Sequence, residues 1–240
     1  MSLDFQDRPV VVTGGTGALG RAVVGRLLDA GARCLVTCWQ EDELQDFPYT
    51  DHPRVDVRSG IDLTDESTVV DLYGGLEAAL GPTPLWASIH CAGGFDMSPF
   101  TETPLDAYRR QMAMNADSCF LCCREAAKAM QNGDGGRIVN VAARPALEPR
   151  SGGAMVAYTM SKAAVVAMTA AAGEALAADG IWVNAVAPSI IDTPANREAM
   201  PDANPTPWPS TKDLAETIVF LASPGNRSTR SATVPVYGRA

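Results

Sequence analysis

Basic residues are scarce in this sequence. Lys and Arg number 19 against 28 Asp and Glu, which gives a formal net charge of −9 and a pI of about 4.7. No cluster of Lys and Arg would follow a phosphate backbone. We therefore expect no nucleic-acid partner.

Long apolar runs are also missing. None approaches the ~20 residues that a helix needs to cross a bilayer. The opening stretch, MSLDFQDRPVVVTGG, has neither the basic region nor the uninterrupted apolar core of a signal peptide. These absences predict no membrane partner and a cytoplasmic protein.

Histidine and cysteine are few, and their placement argues against a metal. The two histidines are His52 and His90, and the six cysteines lie inside apolar segments: Cys34, Cys38, Cys91, Cys119, Cys122 and Cys123. Such placement predicts reduced, buried thiols that pack as small hydrophobic groups. The stretch CFLCC suggests ligands, but its pattern is typical of a helix, and no second Cys pair stands at ligand spacing. The sequence therefore predicts no metal site.

Apolar residues make up 46% of the 240 residues, which is enough for a sizeable core. Apolar β-type runs occur at residues 8–14, 33–38, 54–57, 85–91, 136–142, 181–187 and 232–238. Helical patterns occur between them at 18–30, 65–80, 104–130, 155–178 and 214–222. This alternation predicts an α/β fold with a doubly wound, seven-stranded parallel sheet covered by helices on both faces.

The same pattern predicts a single domain over residues 1–240. Loops are short except at residues 144–154 and 192–210. The second segment is dense in Pro and Asn, yet a helix and a strand follow it. We interpret it as a lid over a site rather than as a linker.

Glycines after the first predicted strand have a spacing that suits a nucleotide. Gly15, Gly17 and Gly20 form the G-x-G-x-x-G pattern between a strand and a helix. Glycine there permits a tight turn and lets N–H groups approach a pyrophosphate at a helix N-terminus. The alternative is a turn that is only structural. The predicted cofactor contacts here are Gly14, Thr16, Gly17, Ala18, Leu19 and Gly20.

Further cofactor contacts are predicted where later strands end. Asp62, after the third strand, is placed to accept from an adenine amino group, and Leu63 to cover the ring. The alternative is that Asp62 or Thr64 caps the next helix. The segment after the fourth strand is predicted to pass close beneath a ribose through Cys91, Ala92 and Gly93.

The end of the second strand bears on the choice between NAD and NADP. An acid there binds the ribose 2′-hydroxyl and an Arg meets a 2′-phosphate. This sequence instead has Thr37, Cys38, Trp39 and Gln40, then Glu41 and Asp42. Two nearby acids, with no basic residue in the glycine turn, favour NAD over NADP. Trp39 is a candidate for stacking on the adenine, with plain packing as the alternative.

A phenol and an ammonium share one face of a predicted helix. Tyr158 and Lys162 are four residues apart. A free tyrosine titrates near ~10, but a nearby ammonium and an oxidised nicotinamide both favour the phenolate. The pair is therefore a candidate acid/base site. The alternative is an ordinary surface pair.

These motifs occur in an order that resembles the classical short-chain dehydrogenase/reductase family. TGGTGALG is similar to its cofactor turn, HCAG to its strand-four motif, YTMSK to its Y-x-x-x-K and PSIIDT to its nicotinamide-binding loop. Asn115, in AMNADS, is similar to its helix asparagine. The resemblance covers nearly the full length and implies a single Rossmann-type domain that transfers hydride between NAD(P) and a small carbonyl or alcohol substrate.

The resemblance also implies roles for individual residues. Tyr158 would donate a proton to the substrate, and Lys162 would hold the nicotinamide ribose and lower the pKa of Tyr158. Asn115 would support a water-linked proton relay. Pro188, Ile191 and Thr193 would lie at the nicotinamide, the last two contacting the carboxamide. A homodimer or homotetramer is expected.

One position departs from the family pattern. Members usually carry a Ser at the end of the strand GRIVNV, where its hydroxyl polarises the substrate carbonyl, but here the residue is Ala143. Loss of such a donor costs ~10²- to 10³-fold in rate. Either Ser151 or a water replaces it, or the substrate does not need it.

A local resemblance bears on this departure. The segment DTPANREAMPDANPTPW is similar to part of the dihydropteridine reductases, which likewise have Ala in place of the Ser. That resemblance implies an electrophilic quinonoid substrate. Two other possibilities remain open: a catalytically silent NAD(P)-binding regulatory protein, which Ala143 suggests, and an interaction protein without a nucleotide site.

Overall fold

A computed structural model describes residues 3–131 and 133–240. Its centre is one seven-stranded parallel sheet in the order β3-β2-β1-β4-β5-β6-β7. The strands are β1 (Pro9–Thr13), β2 (Arg33–Thr37), β3 (Val55–Arg58), β4 (Ala87–His90), β5 (Gly136–Val141), β6 (Ile181–Pro188) and β7 (Thr233–Val236). The predicted α/β fold class is confirmed.

Helices cover both faces of this sheet. They are α1 (Ala18–Asp29), α2 (Glu66–Gly74), α3 (Leu76–Leu80), α4 (Leu105–Met112), α5 (Ser118–Met130), α6 (Arg144–Leu147), α7 (Val156–Ala175), α8 (Pro194–Ala199) and α9 (Thr211–Ala222). No helix in the described ranges is long and apolar enough to cross a membrane.

The alternation of side chains along β1 divides the core in two. Val10 and Val12 pack on the face covered by α1 and α9, while Val11 between them packs on the face covered by α2, α5 and α7. Successive strand residues point to opposite faces. Continuous valine is therefore what a strand buried on both sides requires.

Two predicted helices are interrupted. The helix expected over residues 104–130 is broken by a π-helical stretch at Ala113–Asp117, between α4 and α5. The helix expected over 65–80 is divided at Gly75, which separates α2 from α3. Apolar periodicity does not register such breaks because the residues on either side keep the same buried face.

The two long predicted loops contain helical turns. Residues 144–154 include α6 and a 3₁₀ turn at Pro149–Gly152, and residues 192–210 include α8. The ends of the second segment are held together, since Asp192 N donates to the Pro209 carbonyl at 2.9 Å. The segment from 192 to 210 is therefore a loop that leaves the sheet and returns to nearly the same point.

The strand order places a crevice between β1 and β4. The chain winds from β1 through β2 to β3 on one side, then crosses to β4 on the other. In open α/β sheets, ligands bind outside the carboxyl ends of the strands at this reversal. The residues that follow β1, β4, β5 and β6 are the ones to consider as a site.

Candidate active site at the carboxyl edge of the sheet

The glycine turn after β1 is shaped by close backbone contacts. Gly14 has φ +62°, and a Cβ there would lie 2.8 Å from the backbone of Ala92. A Cβ at Gly20 would collide with the carbonyl of Gly14, so α1 begins directly against the turn. Gly17 has no comparable contact, because its nearest neighbour would be 3.5 Å away. Gly14 and Gly20 are therefore required by close backbone packing, whereas Gly17 is not.

The N-terminus of α1 is open to an anion. Its first residue is preceded by Gly17, no side chain caps its N–H groups, and its first turn contains no acid. Unpaired N–H groups at a helix N-terminus suit a phosphate. This end of α1 fits the pyrophosphate of a dinucleotide, and Thr16, Ala18 and Leu19 lie beside it as predicted.

Glu43 is a residue that the sequence did not single out. It lies in a 3₁₀ turn at Glu41–Leu44, and its carboxylate accepts from Trp39 N at 3.2 Å, Gln40 N at 2.9 Å and the Thr16 hydroxyl. The carboxylate therefore bridges the end of β2 and the glycine turn. Glu43 was not predicted because it lies several residues after the end of β2. The Q-x-x-E pattern of Gln40 and Glu43, which forms a capping box, could have indicated it.

The residues predicted to contact the adenine differ in their exposure and in their contacts. Trp39 is exposed just after β2, and Leu63 packs partly against the core. Asp62 accepts from its neighbour Thr64, at 2.9 Å from N and 2.7 Å from Oγ1. The alternative that Asp62 or Thr64 caps the next helix is wrong, because Asp65 caps α2 through Thr68 N at 3.0 Å.

Lys162 is a buried ammonium on α7. Its Nζ donates to the Val141 carbonyl at 2.9 Å, and its side chain is almost fully buried. Burial lowers the pKa of Lys162 to about 8. A Cβ at Gly93 would lie 3.3 Å from this Nζ, so the backbone after β4 passes close to it.

Tyr158 lies one helical turn before Lys162. Its ring is partly exposed and meets the ring of Phe95 edge-on, with centroids 5.0 Å apart. Burial raises the pKa of Tyr158 to about 12. The expected lowering by Lys162 is absent in the protein alone, because the ammonium is bonded to the Val141 carbonyl and burial disfavours the phenolate.

Asn115 lies in the π-helical stretch, a feature often found at functional sites. Its side chain accepts from Gly94 N at 3.0 Å and donates to Gly94 O at 2.9 Å. It also bonds to Gln111 Oε1 and Ser161 Oγ, each at 3.2 Å. These partners fix the segment after β4 against α7. Gln111 and Ser161 were not predicted, although the four-residue spacing from Gln111 to Asn115 was a signal.

Ala143 follows β5 and is buried. Ser151, one predicted replacement for the missing hydroxyl, is exposed and donates to the Glu148 carbonyl at 2.8 Å. Arg144 pairs with Glu148 at 2.8 Å and lies over the ring of Tyr237 at 4.9 Å. Its charge is thus matched by an acid.

Large apolar side chains are exposed in the segments that follow β4 and β6. Phe95, Met97, Phe100 and Ile190 are large side chains open to solvent. A small cavity beside the start of α7 is lined by Asp96, Ser98, Thr103, Ala107, Gln111, Met155, Val156 and Ala157. Exposed apolar side chains around a polar group are typical of a small-molecule site.

The predicted residues after β6 are held by local hydrogen bonds. Pro188 ends the strand, Thr193 caps α8 by accepting from Asn196 N at 3.2 Å, and the Ile191 carbonyl accepts from Asn196 Nδ2 at 2.8 Å. Cys91 and Ala92 lie directly after β4. The structure therefore places the predicted site residues at one edge of the sheet.

The sheet order, the glycine turn and the uncapped helix define an α/β protein of the Rossmann type. The model of the short chain dehydrogenases matches residues 8–204. The chain belongs to this family and is an NAD(P)-dependent short-chain dehydrogenase/reductase.

Individual relatives agree on the family and differ in cofactor. A chloroplastic "NADPH-dependent aldehyde reductase-like protein" of Arabidopsis thaliana is 28% identical over 262 residues, covering 98% of this chain and 95% of its own. A "2-dehydro-3-deoxy-L-rhamnonate dehydrogenase (NAD(+))" of Sphingomonas sp. (strain SKA58) is 29% identical over 194 residues, covering 79% and 74%. A solved short-chain type dehydrogenase/reductase of Mycobacterium ulcerans superposes with TM-score 0.88 at 26% identity, covering 98% of this chain and 90% of that one.

Proposed function

We propose that the chain uses NADH to reduce a small carbonyl or quinonoid substrate, or runs the reverse oxidation, with Tyr158 as the acid/base. The observation that carries the proposal is that Asn115 and Lys162 both approach the backbone at Gly93, with Tyr158 one turn before Lys162 on α7. The bound nicotinamide supplies or receives the hydride.

The side chains have distinct tasks in this proposal. Tyr158, whose pKa is raised to about 12, holds its proton at neutral pH and donates it from its hydroxyl to the substrate. Lys162 offers an ammonium to the ribose while Val141 orients it. Asn115 fixes the segment after β4, and the predicted water-linked relay runs behind it. The segment 192–210 acts as a lid.

Ala143 limits which substrates are suitable. A buried methyl group replaces the hydroxyl that polarises a carbonyl, so an electrophilic substrate is favoured. This agrees with the local resemblance to dihydropteridine reductases, and a quinonoid substrate is the second candidate function. A silent NAD(P)-binding regulator is the third.

A substrate panel distinguishes these candidates. Wild type and Ala143→Ser are compared with NADH on simple carbonyl and quinonoid compounds. We expect quinonoids to react fastest with wild type, and the restored hydroxyl to raise kcat/KM for simple carbonyls by up to about 10²-fold with little effect on quinonoids. Binding of NADH without turnover by either protein would favour the silent regulator.

Glu43 supports the choice of NAD over NADP. Its carboxylate lies between the end of β2 and Thr16, where dinucleotide folds of this type receive the adenosine ribose. A carboxylate accepts from a 2′-hydroxyl and repels a 2′-phosphate. Arg21 lies beside the same turn, but its Nε donates to the Thr16 carbonyl.

The variant Glu43→Gln tests this choice. It removes the negative charge and keeps an acceptor, so we expect the NADH to NADPH ratio of kcat/KM to fall by about tenfold, equivalent to ~1.4 kcal/mol. Glu41→Gln, an exposed acid in the same 3₁₀ turn, is the matched control and should leave the ratio unchanged. A wild-type preference for NADPH would reject the assignment.

The remaining expectations stay predictions. They are a single domain, a homodimer or homotetramer built partly on α5 and α7, a cytoplasmic location and a small-molecule substrate without nucleic acid. Phe120 on α5 and Met160 on α7 are exposed large apolar side chains, which supports the oligomer.

A further inference from the structure

A second cluster of reactive groups is buried beneath the sheet edge, outside the proposed site. His90 ends β4, Asn140 lies on β5, and Cys119 and Cys123 lie one turn apart on α5. All four side chains are buried, with exposed fractions of 7% or less. The His90 Nδ1 and the two Sγ atoms lie within 4.8 Å of one another.

The donor atoms converge on one point. Nδ1 of His90 is 3.9 Å from Cys119 Sγ and 3.6 Å from Cys123 Sγ. A tetrahedral zinc with Zn–S of ~2.3 Å and Zn–N of ~2.0 Å separates sulfur from nitrogen by about 3.6 Å. The two observed sulfur–nitrogen separations lie within about 0.3 Å of this value.

Asn140 supplies a fourth donor atom. Its Oδ1 is 2.8 Å from His90 Nδ1, 3.3 Å from Cys119 Sγ and 3.4 Å from Cys123 Sγ. A carbonyl oxygen has two lone pairs and can therefore bind a cation. Its amide nitrogen is fixed separately by donation to Thr169 Oγ1 at 2.9 Å. The oxygen is therefore aimed into the cluster.

The other nitrogen of His90 is held as a metal ligand requires. Its Nε2 lies 2.8 Å from Ser88 Oγ and 3.4 Å from Tyr73 OH. The tautomer that carries its proton on Nε2 donates to Ser88 Oγ and presents Nδ1 as a metal ligand. Ser88 and Tyr73 are themselves 2.7 Å apart, so the orienting group is fixed.

Charge favours a divalent ion here. A buried thiolate without a compensating charge is costly. Two thiolates and one divalent cation sum to zero, so the complete site buries no net charge.

We propose that His90, Cys119, Cys123 and Asn140 bind one structural zinc ion that joins α5 to β4 and β5. Zinc forms four bonds to Nδ1, two sulfurs and Oδ1, and two thiol protons are released to solvent. The ion fixes the end of β4, which leads into Gly93 and the proposed cofactor site. The ion takes no part in hydride transfer. The test of this zinc site is therefore independent of the test of the proposed function.

The metal content of wild-type protein tests the site. Protein expressed with added zinc is dialysed and measured by mass spectrometry, and a second sample is refolded with cobalt. We expect about one zinc ion per chain and, with cobalt, the near-ultraviolet absorption of thiolate-to-metal charge transfer. Folded protein that holds no zinc after expression with added zinc, or cobalt protein without that absorption, would overturn the proposal.

A matched pair of cysteine variants locates the ion. Cys122→Ala changes a buried cysteine of the same helix that is not among the donors, whereas Cys123→Ala removes a donor. We expect Cys122→Ala to keep its zinc and to lose thermal stability when a chelator is added. Cys123→Ala should hold no zinc and should not respond to the chelator. Full zinc content in Cys123→Ala would contradict the site. If that variant does not fold, the wild-type cobalt spectrum decides.

Discussion

A single buried charge dominates the electrostatics of the proposed active site. Lys162 has no carboxylate among the partners described for its Nζ, which donates to the Val141 carbonyl. The fall of its pKa from 10.5 to about 8 corresponds to about 3 kcal/mol of folding free energy. A buried lysine that destabilises the folded protein by this amount is typical of a functional residue.

Removal of this charge should therefore stabilise the protein while abolishing its activity. We expect Lys162→Met to raise the free energy of unfolding at pH 7 by up to about 3 kcal/mol. The folded pKa is the lower one, so the penalty is complete below pH 8 and disappears as the pH rises towards 10.5. The extra free energy of unfolding of Lys162→Met over wild type should therefore decrease between pH 8 and pH 10.5.

Urea denaturation of both proteins at several pH values measures this difference. Lys212→Met, on the exposed surface of α9, is the matched control and should give no pH-dependent gain. A variant that is less stable than wild type at pH 7 would contradict the burial cost assigned to Lys162.

Single residues differ in how far the sequence reveals them. Tyr158 and Lys162 were predicted because the pattern is local: the two residues are four apart on one helix. Glu43 and His90 were not, because their partners lie far away in sequence: Thr16 is 27 residues from Glu43, and Cys123 is 33 from His90. Only the folded sheet brings these groups together.

At the scale of elements, two glycines of the turn after β1 have different surroundings. A Cβ at Gly20 would collide with the backbone of Gly14 and Gly15, whereas a Cβ at Gly17 would make only an ordinary van der Waals contact, 3.5 Å from the Gly14 carbonyl oxygen. Gly20 is needed for α1 to pack against the turn, and Gly17 is the glycine that we propose a ligand approaches. The sequence pattern alone gives both glycines the same weight.

Two alanine variants separate these roles. We expect Gly20→Ala to lower the free energy of unfolding by about 3 kcal/mol, because the new methyl group meets rigid backbone. Gly17→Ala should cost less than about 1 kcal/mol and should weaken NADH binding by about tenfold or more. Chemical denaturation and calorimetric titration measure the two effects. Equal loss of stability in both variants would contradict the division.

Helix boundaries were the less predictable part of the fold. The break at Ala113–Asp117 positions Asn115, yet AMNADS is not distinguished from ordinary helix by its apolar pattern. The bonds that hold Asn115 come from Gly94 and Ser161, on other elements. Tertiary contacts therefore set this local geometry.

For the whole molecule, the sheet was predicted strand by strand. Seven apolar runs gave seven strands, since burial on both faces makes each run nearly continuous. That pattern leaves the strand order open, because crossovers permit several arrangements. Reversal between β1 and β4 nevertheless gathers the predicted site residues at one edge.

The central claim is that this edge carries out redox chemistry through Tyr158. The most direct measurement compares wild type, Tyr158→Phe and the control Tyr49→Phe, which loses a hydroxyl on the loop after β2, in turnover of NADH with the best substrate of the panel. We predict a fall in kcat of ~10²- to 10⁴-fold for Tyr158→Phe, with NADH binding retained and Tyr49→Phe unaffected. Unchanged turnover by Tyr158→Phe would contradict the account.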